Sequence, residues 1–192
     1  MTSKKSDFFA LDKGLVEKLI RKNKIYTGIA VDFCVDDVEL PDGARATREY
    51  LDHPGAVGVV PLLPGGRVVL VRQYRHPVGE VTLELPAGKF DRGSKESVLE
   101  CARRELREET GYTAKSLTPL IQYWPTCAFA NELLHMFIAE GLVPGECDPD
   151  EDEFIETVEL PLEEAFDLVR AGKIKDSKTI IGLFTTALWK RS

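Results

Sequence analysis

No run of this chain approaches the ~18 consecutive apolar residues that a membrane-spanning helix requires. Met1 to Asp7 carries charge with no apolar stretch behind it, so no signal peptide is expected either. Cysteine is sparse. Cys34, Cys101, Cys127 and Cys147 stand far apart and form no C-x-x-C pair, and the three histidines, His53, His76 and His135, are scattered too. This pattern argues against a disulfide framework and a structural zinc site, and for reduced thiols in a cytoplasmic protein. A basic excess is also missing. Lys plus Arg number 25 against 32 Asp plus Glu, a net charge of −7, which argues against a nucleic-acid partner and against a polybasic membrane anchor. Internal repeats and low-complexity stretches are absent.

What is present describes an ordinary globular chain. It has 192 residues, 43% of them apolar and 30% charged. That is one domain, or one domain with a small accessory piece, and it is long enough to bury a core. Phe8 to Lys22 mixes apolar and basic residues and predicts a short helix. Tyr26 to Leu40 predicts a strand, Pro41-Asp42-Gly43 a turn, and Ala44 to Leu51 the returning strand. His53-Pro54-Gly55 interrupts the pattern. Ala56 to Leu63 and Val68 to Tyr74, joined at Pro64-Gly65-Gly66, predict a second and more buried hairpin, and Val81 to Leu85 a further strand leading into Pro86-Ala87-Gly88. A helix from about Glu96 to Thr110 ends on Gly111. Strands follow near Leu117–Tyr123, Leu133–Ala139 and Phe154–Leu160, then helices over Leu162–Ala171 and Asp176–Trp189. The order predicts a mixed α+β fold or an αβα sandwich. The joint at 52–55 separates an N-terminal segment, 1–54, from a main domain, 55–192.

The helix near Glu96 breaks local rules. Val98, Ala102 and Leu106 recur every four residues and form its core stripe. Glu105, Glu108 and Glu109 then crowd the last turns at i, i+3 and i+4. Like charges at that spacing repel by a few tenths of a kcal/mol. They also lie at the negative end of the helix dipole, where an acid is disfavoured by about 0.3–1 kcal/mol. Arg103, Arg104 and Arg107 balance the total charge of a solvated face but do not explain acids gathered at this end. Clustered carboxylates suit a hard cation such as Mg²⁺, which takes oxygen ligands and bridges to substrate phosphates.

With those residues in view, the sequence resembles the Nudix hydrolases. Arg104-Glu105-Leu106-Arg107-Glu108-Glu109-Thr110-Gly111-Tyr112 matches the end of that family's signature without a gap. Gly88 is its leading glycine, and counting back from Arg104 reaches Glu96 as its first acid. Seven residues, Lys89 to Lys95, separate Gly88 from Glu96 where the family has five; counting forward from Gly88 reaches Ser94 instead. The backward count is preferred, because a helix fixes spacing and a loop does not. Val71-Arg72-Gln73-Tyr74-Arg75, Leu83-Glu84-Leu85-Pro86-Ala87-Gly88, Asn131-Glu132 and the stretch Lys173–Ser177 are similar to the branch that cleaves ADP-ribose and nucleoside diphosphate sugars.

The resemblance implies a Nudix-type αβα sandwich with a mixed sheet, plus a small N-terminal β-hairpin piece that helps build a homodimer. It implies Mg²⁺-dependent attack of water on a pyrophosphate, with Mn²⁺ a possible substitute. Glu105 and Glu109, helped by Glu108 and the Ala87 carbonyl, would hold the metal, and Arg104 would orient Glu105 or a neighbouring acid. The base would come from the acidic loop 148–153, on Glu151 or Glu153, with Glu151 preferred. Arg72 and Arg75 are candidates for the phosphates, and Glu84 and Glu132 for the rest of the nucleotide sugar. Tyr123, Trp124 and Phe129 could stack on a purine; Trp124 and Phe129 could equally serve as core or dimer contacts. Where ADP-ribose enzymes of the branch carry a Pro-containing pair beyond the box, this chain has Cys127-Ala128. That raises other sugar nucleotides, GDP-mannose and ADP-glucose among them. Dinucleoside polyphosphates, and a non-catalytic nucleotide sensor, remain as alternatives.

Overall fold

The computed structural model describes residues 13–90, 95–148 and 153–189. They fall into two compact units. One runs up to His53 and includes Thr126–Asn131; the other holds Pro54–Pro125 and the chain from Glu132 onward. Among the described residues no helix is long and apolar enough to cross a membrane.

The first unit is an antiparallel sheet centred on β3 (Asp32–Glu39). Strand β4 (Arg45–Asp52) pairs with the whole of one edge, and β1 (Lys18–Arg21) and β2 (Lys24–Thr27) share the other. Along β3 burial alternates, so Asp32, Cys34, Asp36 and Val38 face inward. The two buried acids are partnered: Asp32 pairs with Lys24, and Asp36 accepts from the Tyr50 hydroxyl and the Asn23 N–H. Residues 126–131 join this unit because Leu51 N–H donates to the Phe129 carbonyl and the Asn131 side chain bonds both Asp52 and the His53 N–H.

Two expectations fail in this unit. The described part of the helix expected over Phe8 to Lys22 contains strand β1. Strand β1 is exposed along its length, and it is the backbone ladder to β3, not burial of an apolar face, that fixes its conformation. The strand expected over Tyr26 to Leu40 is broken in two by a turn, closed by Gly28 N–H on the Val31 carbonyl.

In the second unit seven strands form one mixed sheet among the described residues. Its path is β11 (Glu156–Pro161), β6 (Arg67–Arg75), β5 (Ala56–Leu63), β10 (Leu134–Val143) and β9 (Thr113–Tyr123). Strand β7 (Glu80–Glu84) adds to β6 and the short β8 (Ala87–Lys89) to β5. Only the β5–β10 pair is parallel within this sheet. Strand β8 went unforeseen because three residues behind a proline, two of them small, carry no strand pattern. Strand β5 is buried along almost its whole length, as a strand covered on both faces must be. Val57 and Val59 pack with Phe137 and Ala139 of β10 under helix α1 (Val98–Thr110). Val60 and Leu62 turn the other way, with Met136 and Ile138, toward α2 (Leu162–Arg170) and α3 (Ser177–Trp189). Helices on both faces of a mixed sheet make this an αβα sandwich.

Candidate active site

Helix α1 starts and stops on strong local signals. Ser97 accepts from the Glu100 N–H, and the Glu100 carboxylate accepts from the Ser97 N–H, a capping box worth roughly 1 kcal/mol. Gly111 ends the helix in the left-handed region at φ 72°. Cys101, Ala102 and Leu106 lay the helix on the Val57–Val59 side of the sheet. The stripe that begins at Cys101 continues through Glu105 and Glu109, four residues apart, so those two carboxylates are carried into the protein: Glu105 is 9% exposed and Glu109 5%.

Both press on the backbone of β8. Ala87 N–H donates to Glu109 Oε2 at 2.9 Å. At Gly88 a β-carbon would lie 2.0 Å from the Glu105 carboxyl carbon, so only glycine allows the approach. Burial drives both carboxyls up. Glu109 reaches about 8, with repulsion from Glu105 and Glu153 adding to the desolvation that the Ala87 N–H and Lys178 only partly offset. Glu105 reaches about 7, because desolvation outweighs the charge and hydrogen bond of Arg104. Two such acids titrate as a pair.

Arg104 gathers the other acids. Its guanidinium grips Glu96 through two bonds of 3.0 and 3.2 Å, and its third nitrogen reaches Glu105 at 2.7 Å and Glu108 at 2.8 Å. The acid reached by counting backward, Glu96, therefore sits on Arg104; Ser94, reached by counting forward, lies outside the described residues. Glu108 is half-buried on the Arg104 side of the helix. Among the described residues no three His, Cys, Asp or Glu side chains meet as a ready-made metal cage; Glu105 and Glu108 bond Arg104. The donor set still suits a small hard dication. It consists of carboxylate oxygens held where water is scarce, beside a glycine backbone, and desolvation makes two of the carboxyls, Glu105 and Glu109, hold their protons toward neutral pH.

The remaining candidates divide. Glu153 is exposed, yet near enough to repel both Glu105 and Glu109. Glu151 lies outside the described residues. Glu84 is almost fully buried. It accepts two bonds from Arg75, at 2.9 and 2.8 Å, one from the Thr82 hydroxyl at 2.6 Å, and a salt bridge from Lys178. Burial alone would raise its pKa, but Arg75, Lys178 and Thr82 outweigh it and hold the group at about 2. Arg75, Pro77, Glu84, Lys175, Asp176 and Lys178 line a pocket of about 570 Å³. Arg72 is not part of this group: strand alternation sends it to the opposite face of β6, where it pairs with Glu156 at 2.5 Å. Glu132 is half-buried at the entry to β10. Burial first, then the charges of Asp176 and Glu132, push the Tyr123 phenol upward, and among the described residues its buried hydroxyl has no hydrogen-bond partner. Trp124 and Phe129 are exposed. Sequence reasoning missed Lys178 and Thr179. Their signal was Asp176 three residues before Thr179 at a helix start.

A model of the NUDIX domain matches residues 52–181. The chain is 43% identical over 169 residues to an ADP-ribose pyrophosphatase of Bacillus subtilis, covering 87% of this chain and 90% of that protein. It is 41% identical, with the same coverage of each, to a methanol dehydrogenase activator of Bacillus methanolicus. A crystal structure of an ADP compounds hydrolase superposes with a TM-score of 0.80 at 25% identity, covering 94% of this chain and 97% of that one. The box geometry and this match over more than half the sequence place the chain in the Nudix family.

Proposed function

We propose that this Nudix protein is a pyrophosphohydrolase dependent on a divalent cation, which cleaves the diphosphate of ADP-ribose or a related nucleoside diphosphate sugar. Water adds to one phosphorus, the P–O–P bridge breaks, and a nucleoside monophosphate and a sugar phosphate leave. The observation that carries this reading is the pair of buried carboxylates, Glu105 and Glu109, set against the β8 backbone at Ala87–Gly88. Glu105 and Glu109, with Glu108 and the Ala87 carbonyl, would hold Mg²⁺, or Mn²⁺ in its place. When bound, such an ion lowers the pKa of a coordinated water and screens phosphate charge.

The chain's own residues supply position. Arg104 spans Glu96, Glu105 and Glu108 and so fixes the acids' orientation. Glu84 holds Arg75 at the pocket, where its guanidinium can meet a phosphate. Arg72 and Glu132 are further candidates for substrate contact, on their own surfaces. Glu151 or Glu153 would take the proton of the attacking water; Glu153's influence on Glu105 and Glu109 supports that loop as the source. Cytoplasmic residence fits the four free thiols.

The reading is tested by following cleavage of ADP-ribose, GDP-mannose, ADP-glucose, NADH, diadenosine polyphosphates and dGTP, with Mg²⁺ and with EDTA. Cleavage of a diphosphate sugar that EDTA abolishes is expected. Turnover of another nucleoside diphosphate sugar in preference to ADP-ribose would move specificity to the loop around Cys127-Ala128 and keep the chemistry. Nucleotide binding with no hydrolysis of any compound would favour a sensor.

We also propose a homodimer built on the N-terminal unit. Leu15, Leu19, Ile25, Tyr26 and Ile29 are all exposed there, more apolar surface than a small solvated sheet presents without a partner. Light scattering at micromolar concentration should report twice 21.4 kDa; a monomer would overturn it.

A further inference from the structure

Strand β7 ends at Glu84 and β8 begins at Ala87, so Leu85 and Pro86 cross between them outside either strand. Proline has no N–H to contribute. The path of this short bridge therefore depends on the bonds of its few remaining polar groups. Pro86 C=O accepts from the Val59 N–H at 2.9 Å, and Ala87 N–H is taken by Glu109. Leu85 N–H, fully buried, is held from the other end of the sequence: it donates to the Thr179 hydroxyl at 2.8 Å.

That hydroxyl can accept because its proton is already committed. Asp176 Oδ2 receives the Thr179 O–H at 2.6 Å and the Thr179 N–H at 2.9 Å, capping the start of α3. A hydroxyl that donates to a carboxylate turns its lone pairs elsewhere, here onto Leu85. Lys178, between them, pairs with both Asp176 and Glu84. The first turn of α3 thus clamps residues 84 and 85, immediately before the backbone that meets Glu105 and Glu109.

We infer that Thr179, oriented by Asp176, is a positioning residue that sets the Ala87–Gly88 backbone against Glu105 and Glu109 and so tunes cation affinity. The inference rests on the cation reading above. Its test is Mn²⁺ binding to the substrate-free protein, read from the electron paramagnetic resonance of free Mn²⁺. Thr179→Val keeps the shape and removes the acceptor; it should weaken Mn²⁺ binding about 10-fold, the low end of the effect of groups outside the ligand set. Thr179→Ser, which restores the hydroxyl, should bind as the wild type does. Leu183→Ala, one turn further along α3 in the core, should melt earlier yet bind Mn²⁺ normally. Equal affinity in wild type and Thr179→Val, or equal losses in Thr179→Val and Leu183→Ala, would overturn the inference. If Thr179→Val does not fold, Asp176→Asn decides: weaker Mn²⁺ binding than wild type supports the clamp, since the hydroxyl loses its charged anchor, and unchanged binding overturns it. A wild-type protein that cleaves substrate without binding Mn²⁺ would instead fail the cation reading itself.

Discussion

Glu109→Gln is expected to lower kcat by about 10³-fold, the equivalent of several kcal/mol of lost transition-state stabilisation, and at the same time to stabilise the metal-free protein at pH 8. The two effects have one cause. Glu109 is 5% exposed, and burial drives its pKa to about 8. A folded protein that must ionise it there carries a charge with little compensation. Glutamine keeps the shape and can still accept from the Ala87 N–H, the one hydrogen bond the carboxylate makes to β8. It removes the negative charge a cation would need. Activity and the metal-free melting temperature should therefore move in opposite directions. A variant that retains activity would remove Glu109 from the proposed site. One that loses activity by unfolding would show the carboxylate to be a structural necessity instead.

The second large effect is the pH dependence of the metal-free protein. Glu105 and Glu109 have folded pKa values raised to about 7 and about 8, from an ordinary 4.5. Below pH 4.5 both states hold these protons and the pair contributes nothing. As pH rises, the unfolded chain ionises first and gains. Above pH 8 the folded protein bears both charges and the full cost. Stability should thus fall between about pH 5 and 8 and level off beyond. One retained proton changes stability by about 1.36 kcal/mol per pH unit. From pH 5.5 to 7.5 the loss should be on the order of 3 kcal/mol, or roughly 10 °C for a chain of this size. Adding Mg²⁺ at pH 8 should restore most of it by binding only the folded state. Glu84 works in the opposite sense and in another window. Its depressed pKa, about 2, stabilises the fold above pH 4.5, and that contribution is lost as pH falls toward 2. Melting curves in EDTA between pH 5 and 9 separate the two. A midpoint that stays flat or rises across that range would mean that the pair is hydrated in solution.

Much of this protein was legible in its residues, for local reasons. Strand β5 was read with its observed bounds, because a run of eight largely apolar residues between a Gly and a Pro-Gly-Gly turn has little else to become. Helix α1 was read with its observed end because Gly111 is a stop signal, and to within two residues at its start, where the Ser97–Glu100 capping box went unread. The carboxylate cluster announced itself by violating helix electrostatics.

What the sequence did not contain was the outcome of competition between distant groups. Residues 18–21 became a strand because β3 offered an edge for pairing, and nothing within residues 8–22 records that edge. Glu84 and Lys178, 94 apart, came into contact, and Arg72 found Glu156 on one face of β6 while Arg75 found Glu84 on the other. Burial of Glu105 and Glu109, and with it their readiness for a cation, follows from how α1 is seated on β8, where Gly88 lets the backbone touch a carboxylate. Motif chemistry travels along the chain and can be read there. Desolvation and close approach arise only when segments far apart in sequence exclude water from between them, so only the tertiary structure could decide them.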